Sequence, residues 1–147
     1  MIIAGSGPLN SPLLRMRVKD IQILNRYVAD REVARLMQMA AFVALPYTSA
    51  TQSGVIALAQ AFGRPVIVTS VGGLTEMVSN GKTGIVVPPN DVGAVGRAML
   101  SLTRDQKKLA RMQRNVRKVA AATCSPELIA RAHLKMYRAL IGRQSRQ

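Results

Sequence analysis

The chain has 147 residues and a formal net charge of +14, with 21 Lys and Arg against 7 Asp and Glu. That length suits one domain with a sizeable core, and 48% hydrophobic residues exclude intrinsic disorder for most of it. No apolar run approaches the ~20 residues that a membrane span needs. One cysteine and one histidine exclude an internal disulfide and argue against a Cys- or His-rich metal site, so no metal or cofactor is predicted.

The positive charge is concentrated towards the C-terminus. Residues 1–96 hold 8 basic and 5 acidic residues, whereas residues 97–147 hold 13 basic and 2 acidic residues. An aromatic content of 3%, with no Trp, argues against base-stacking platforms for single-stranded nucleic acid. The basicity is therefore a property of the last third of the chain, and the first two-thirds have the composition of an ordinary core.

Short apolar runs alternate with segments of helical periodicity. In chain order they predict a buried central strand at 1–4, a strand at 21–24, a helix at 31–39, a strand at 41–45 and a helix at 55–62. A strand at 66–69, a short helical segment at 74–78, an edge strand at 84–87 and helices at 92–102, 104–121 and 125 to about 140 follow. Asp30, Asp91 and Ser125 are the predicted N-caps. This alternation predicts an α/β fold, a Rossmann-like parallel sheet of about five strands with flanking helices and extra C-terminal helices.

Ligands of open parallel sheets bind beyond the carboxyl ends of the strands, so the turns there are candidate sites. The four turns are 5–8, 26–28, 48–54 and 70–76. In the third turn, residues 51–55 open a helix whose first N–H groups offer donors to a diphosphate, and the hydroxyls of Ser53 and Thr51 offer further donors. The alternative is that Ser53 only caps that helix.

The fourth turn contains Gly72 and Gly73, followed by one carboxylate at Glu76. Near a pocket, this carboxylate is able to accept two hydrogen bonds from a sugar or ribose diol. The alternative is that it only complements the dipole of a short helix. Cys124 and His133 have no partner residues that would make a catalytic or metal set, and both are predicted to be structural.

The helix predicted at 104–121 has an apolar stripe of Leu109, Met112, Val116 and Val119. Its opposite face is basic and consists of Lys107, Arg111, Arg114 and Lys118. Three interpretations remain open: a solvated face, a face for an anionic membrane surface, and a nucleic-acid contact. No recognised nucleic-acid motif accompanies the basic face, so nucleic acid is the least favoured partner.

Several strings in order resemble the C-terminal half of a GT-B glycosyltransferase of glycosyltransferase family 4. They are IAGSGP (3–8), LPY (45–47), ATQSGV (50–55), AFGRPVI (61–67), GGLTEMV (72–78), GKTGIVVPPND (81–91) and the stretch 129–137. The resemblance implies that a nucleotide-diphosphate sugar is bound by this domain of a retaining, cytoplasmic transferase. It names no catalytic residue in this chain.

The resemblance also assigns the parts of the donor to residues. It implies that the diphosphate lies at Ser53, Gly54 and Val55. It implies that the base lies near Gly5, Tyr27 and Val28. It implies that the sugar lies towards a set made of Thr51, Gln52, Gly73 and Glu76.

Two departures from the family pattern matter. Many members carry two glutamates where this chain has Ala50 and Leu58, so the two carboxylates that usually contact the donor sugar and ribose are not present at these positions. The first strand–helix unit and the N-terminal acceptor domain of the family are expected to be missing. Residues 1–142 are therefore predicted to form a partial nucleotide-sugar-binding domain, and residues 143–147 a polar tail. The chain is expected to be inactive alone.

An alternative function is a basic module without catalysis that binds nucleic acid or a membrane surface. Because lipid-linked acceptors are common in the resembled family, the basic helix face also fits a transferase. On that interpretation the protein is cytoplasmic and peripheral at the inner membrane face.

Overall fold

The computed structural model describes residues 1–7, 19–123, 130–131 and 133–138. The elements are β1 (Ile2–Gly5), β2 (Gln22–Asn25), α1 (Asp30–Met39), β3 (Val43–Leu45), α2 (Gly54–Ala61), β4 (Val66–Thr69), α3 (Leu74–Met77), β5 (Gly84–Val87), α4 (Val92–Arg104) and α5 (Gln106–Thr123). Residues 130–131 and 133–138 are also helical. The predicted α/β class is confirmed, and the bounds of these ten elements agree with the prediction within two residues.

The strands form two parallel sheets. β1 pairs with β2, and Ile3 lies opposite Ile23. β4 lies between β3 and β5, so that Ile67 has Ala44 on one side and Ile85 on the other. In the described part of the chain β5 is therefore an edge strand, as predicted. The chain divides into two compact units, Met1–Met39 and Ala40–Gln147.

The first strand is not the buried central strand that its apolar sequence predicts. All four residues of β1 are exposed, and Ile3 is 42% exposed. The physical reason is that an apolar run is buried only where other layers cover it. Within the described residues of the first unit, β1 pairs with β2 alone. The N-terminal ammonium of Met1 donates to the carbonyl oxygen of Asp20 at 2.6 Å, which fastens one end of this strand pair.

The core of the second unit is built around β4. All four residues of β4, three apolar residues and Thr69, are buried, as expected for a parallel strand that is covered on both faces. Ile67 belongs to a buried cluster that also contains Val87, Ala98, Leu102 and Met112. Helices α4 and α5 supply the last three of these side chains. Because such a core is closely packed, the loss of even one buried methyl group lowers the free energy of unfolding.

Asp91 is the N-cap of α4, as predicted, because its Oδ1 accepts from the N–H of Ala94 at 2.7 Å. The next helix begins two residues later than predicted. Asp105 ends α4 and also caps α5, since its Oδ1 accepts from the N–H of Lys108 at 2.9 Å. An aspartate is a strong N-cap signal, and it decides where the two helices separate.

Three residues of the predicted apolar stripe on α5 are buried: Leu109, Met112 and Val116. The prediction is wrong at Val119, which is exposed near the end of the helix. Cys124, the predicted cap Ser125 and the tail at 143–147 lie outside the described residues. The division into a domain at 1–142 and a tail stays a prediction.

Candidate functional site

Two loops of the second unit meet at the carboxyl ends of neighbouring parallel strands. One loop leads from β3 to α2, and the other leads from β4 to α3. The N–H of Gly73 in the second loop donates to the carbonyl oxygen of Thr51 in the first, at 3.0 Å. The predicted turns at 48–54 and 70–76 therefore form one site, at the edge of the sheet where parallel folds bind ligands.

The close approach of these loops explains the Gly-Gly pair. Gly72 has φ of +48°, and a Cβ at this position would overlap the carbonyl oxygen of Ala50. A Cβ at Gly73 would lie 2.6 Å from the carbonyl oxygen of Thr51 and 3.9 Å from Cγ of Gln52. Glycine is the residue that permits both the left-handed backbone and this distance. The Gly-Gly pair therefore allows the two loops to lie in direct contact.

Helix α2 begins in this site with uncapped N–H groups. Ser53 has the extended backbone of an N-cap, with φ −139° and ψ 112°, and its side chain is buried. Its hydroxyl makes no capping hydrogen bond, so the structure does not agree with the interpretation that Ser53 only caps the helix. The first N–H groups of a helix have no acceptor within the helix, and the helix dipole makes this end positive. The N–H groups of Gly54 and Val55 therefore lie at the positive end of the helix without an acceptor inside it.

Glu76 supplies the carboxylate of this site. It is exposed in the first turn of α3, and its N–H donates to the carbonyl oxygen of Gly73 at 3.2 Å. Thr51 and Gln52 are exposed as well. From residue 46 to residue 78, Glu76 is the only acidic residue, because Ala50 and Leu58 stand where the resembled family has glutamates. Any hydroxyl-binding carboxylate in these two loops is therefore Glu76.

The first unit holds the other three predicted residues, Gly5, Tyr27 and Val28. Gly5 ends β1 with φ of +147°, and the N–H of Gly7 donates to Oδ1 of Asn25 at 3.2 Å. This bond joins the loop that follows β1 to the last residue of β2. Tyr27 is 77% exposed, which leaves its ring available to a ligand, and Val28 is half-buried.

An ion pair that the sequence analysis missed fixes the loop after β2. Nη1 and Nη2 of Arg26 donate to the two carboxylate oxygens of Glu32 at 2.8 Å and 2.6 Å. Nη1 also donates to the carbonyl oxygen of Tyr27 at 3.2 Å. The hydrogen bond from Arg26 lowers the pKa of the Glu32 carboxyl, and the same bond raises the pKa of Arg26. A pair that joins a loop to the next helix leaves no periodic signal in a sequence.

The basic face predicted on α5 is exposed along its whole length, at Lys107, Arg111, Arg114 and Lys118. No group of His, Cys, Asp and Glu among the described residues is arranged to hold a metal ion. None of the helices in the described ranges has the length and apolar character to cross a bilayer.

Residues 1–105 match the protein family described as "Glycosyl transferases group 1". The chain belongs to this glycosyltransferase family. The match includes the five strands of the described residues and every residue that the sequence analysis predicts for the donor.

Proteins of other organisms are similar to this chain in sequence and fold. The chain is 28% identical over 122 residues to D-rhamnosyltransferase WbpZ of Pseudomonas aeruginosa. The aligned region covers 78% of this chain and 32% of that protein. It is 27% identical to sucrose-phosphate synthase of Thermosynechococcus elongatus, with a TM-score of 0.75 over 96% of this chain and 38% of that one. The chain thus spans about a third of the length of these relatives.

The Anabaena protein HepE, solved in complex with UDP-glucose, shares the fold. The TM-score is 0.75, the identity is 19%, and the match covers 94% of this chain and 40% of HepE. At this identity the likeness shows the fold alone. The α/β architecture is therefore that of GT-B glycosyltransferase structures.

Proposed function

We propose that the chain is the donor-binding, C-terminal part of a retaining glycosyltransferase of family 4, and that it binds a nucleotide-diphosphate sugar. The observation that carries the proposal is the uncapped start of α2, held against the Gly72-Gly73 loop by the bond from Gly73 to Thr51. Helix N-termini of this kind bind phosphate groups through N–H donors and the helix dipole. The fold shared with HepE, which was solved with UDP-glucose, supports the same ligand class.

In this proposal, each part of the donor has its own residues. The diphosphate accepts hydrogen bonds from the N–H groups of Ser53, Gly54 and Val55. The sugar lies over Thr51, Gln52 and Gly73, with Glu76 accepting from its hydroxyls.

The base lies against Gly5, Tyr27 and Val28. The ion pair of Arg26 and Glu32 holds this loop in place, since Arg26 also donates to the carbonyl oxygen of Tyr27. The exposed ring of Tyr27 offers a flat surface to a nucleobase.

The chemistry that this arrangement performs is positioning and stabilisation of the leaving diphosphate. As the bond from the sugar to the diphosphate breaks, negative charge grows on the diphosphate oxygens. N–H donors and a helix dipole that already point at those oxygens stabilise this charge without reorganisation. The proposed mechanism uses no metal ion or cofactor.

The acceptor is proposed to bind a second domain, because the relatives are about three times as long as this chain. Turnover by residues 1–147 alone is therefore expected to be absent, although donor binding remains. Family membership accounts for the core of the chain, so a purely nucleic-acid-binding or membrane-binding module is not favoured.

The test compares two substitutions at the N-cap of α2. Ser53→Asp places a carboxylate where the diphosphate is proposed to bind, and Ser53→Asn is a neutral control of similar size. Both residues are good N-caps, so both helices are expected to form. Titration calorimetry with UDP-glucose and other nucleoside diphosphate sugars is expected to show at least about tenfold weaker binding for Ser53→Asp than for Ser53→Asn. Equal affinities of the two variants, or no binding of any donor by the wild-type chain, would overturn the proposal.

A further inference from the structure

A straight row of cations lies on the exposed side of α5. Lys107, Arg111, Arg114 and Lys118 follow one another at spacings of four, three and four residues, which places them in one line about 16 Å long. All four side chains are exposed, and the opposite side of the helix is buried. We refer to these four residues as the cationic row.

No acidic group among the described residues neutralises the cationic row. Residues 40–123 contain ten basic and three acidic residues, and α5 itself has no acidic residue. Asp91 lies 3.8 Å from Arg97, and Asp105 caps α5. In the described ranges, neither a hydrogen bond nor an ion pair involves a side chain of the row. The row is therefore a concentrated positive charge that faces outwards.

Other cations on the same helix have structural contacts, which sets the row apart. Nζ of Lys108 donates to the hydroxyl of Ser101 at 3.1 Å. The side chain of Arg117 packs over Gly63, where a Cβ would lie 2.7 Å from its Cγ. The row has no such task in the described structure, so its charge is available to a partner.

The next described helical residues carry exposed apolar side chains as well as cations. At 133–138, Leu134 and Tyr137 lie on one side of the helix, and they are 53% and 56% exposed. Lys135 and Arg138 are exposed in the same stretch, and Arg138 lies on the same face as Leu134 because the two are four residues apart. Exposed apolar side chains beside cations are typical of helices that lie in a bilayer interface. A nucleic-acid backbone offers no comparable contact to a leucine, so these residues favour a lipid surface.

We propose that the cationic row binds the protein to the surface of a bilayer that contains anionic phospholipids. This inference is independent of donor binding and concerns a different element of the second unit, α5. The row lies along the layer of phosphate headgroups, and each cation near such a surface strengthens partitioning about fivefold. The contact is peripheral and depends on salt, because counterions screen exposed charges over about 10 Å.

The test is sedimentation of the full chain with vesicles. One set contains phosphatidylcholine and phosphatidylglycerol, and the other contains phosphatidylcholine alone. The row variant carries Lys107→Gln, Arg111→Gln, Arg114→Gln and Lys118→Gln. The charge-matched control carries glutamine at four exposed cations elsewhere, namely Lys19→Gln, Arg31→Gln, Arg35→Gln and Lys82→Gln.

We expect the wild-type chain and the control to bind the anionic vesicles within a few-fold of each other. The row variant is expected to partition at least about 100-fold more weakly. Circular dichroism shows whether each variant is folded. If the row variant is not folded, two double variants are measured separately: Lys107→Gln with Arg111→Gln, and Arg114→Gln with Lys118→Gln. Each double variant is expected to partition to the anionic vesicles at least about tenfold more weakly than the wild-type chain.

Three results would overturn the inference. The first is equal loss in the row variant and the control, which would mean that only the net charge matters. The second is that the wild-type chain binds the two kinds of vesicle equally. The third is tighter binding to duplex DNA than to anionic vesicles at the same salt concentration, which would assign the row to nucleic acid.

Discussion

The strands β1 and β4 have nearly the same kind of sequence and opposite surroundings. Each is a short apolar run followed by turn residues, yet every residue of β1 is exposed and every residue of β4 is buried. β4 has a strand on each side and helices α2, α4 and α5 in its unit. β1 has one neighbouring strand, β2, and one helix, α1, among the described residues of its unit. An apolar run therefore predicts a strand, but its burial depends on the layers that the rest of the protein provides.

The largest expected effect comes from the same substitution in the two strands. Ile67→Ala removes a side chain that is 1% exposed and leaves a cavity in the core, which costs about 2–5 kcal/mol of unfolding free energy. Ile3→Ala is the matched control, because Ile3 is 42% exposed, and its cost is expected to stay below about 1 kcal/mol. Urea unfolding measures both. Equal costs would show that the contrast between the two strands is not one of burial.

A smaller effect is expected where the two loops of the site meet. Gly72→Ala forces a Cβ against the carbonyl oxygen of Ala50 at a positive φ, and it is expected to cost about 1–3 kcal/mol. The affinity for nucleoside diphosphates should fall together with the stability, since the two loops must move apart to accommodate the Cβ.

The control for the Gly72 substitution is Gly96→Ala in α4. A Cβ at Gly96 meets no atom within 4 Å, so alanine is expected to stabilise this helix by about 0.5–1 kcal/mol. Thermal unfolding of the two variants should therefore shift in opposite directions. A shift of the same sign and size in both would contradict the close approach of the loops.

The smallest effect concerns pH and the loop after β2. Because the folded protein lowers the pKa of Glu32, the ion pair with Arg26 stabilises the fold above the unfolded pKa of the carboxyl. This contribution is lost as the pH falls through the folded pKa. Glu32→Gln is expected to be slightly less stable than wild type at neutral pH and equally stable in acid. Unfolding midpoints measured across this range check the sign, and a constant difference between the two proteins would refute it.

Local sequence was sufficient to predict most elements of the fold. Alternating apolar runs and helical periods predicted all five strands, and Asp91 was identified as a cap because capping needs only neighbouring residues. The exposure of β1 was not predictable, since burial depends on distant parts of the protein. Asp105 was overlooked as a cap although its residue type gave the signal.

The candidate site was predicted in outline. Gly72 and Gly73 indicated a tight turn, but the contact of that turn with Ala50 and Thr51 joins residues about twenty positions apart and has no local signal. The missing capping bond of Ser53 also depends on the orientation of its side chain, which the sequence left open between two interpretations. The assignment of ligand parts to these residues still rests on the family resemblance.

The central claim is that the first N–H groups of α2 bind a diphosphate. The most direct measurement is the amide NMR spectrum of the chain during titration with UDP. We predict that the signals of Gly54 and Val55 shift strongly and in parallel with saturation, because their N–H groups gain charged acceptors. The signal of Gly96 in α4 should stay unchanged. Saturation by UDP without a shift at Gly54 and Val55 would contradict the account.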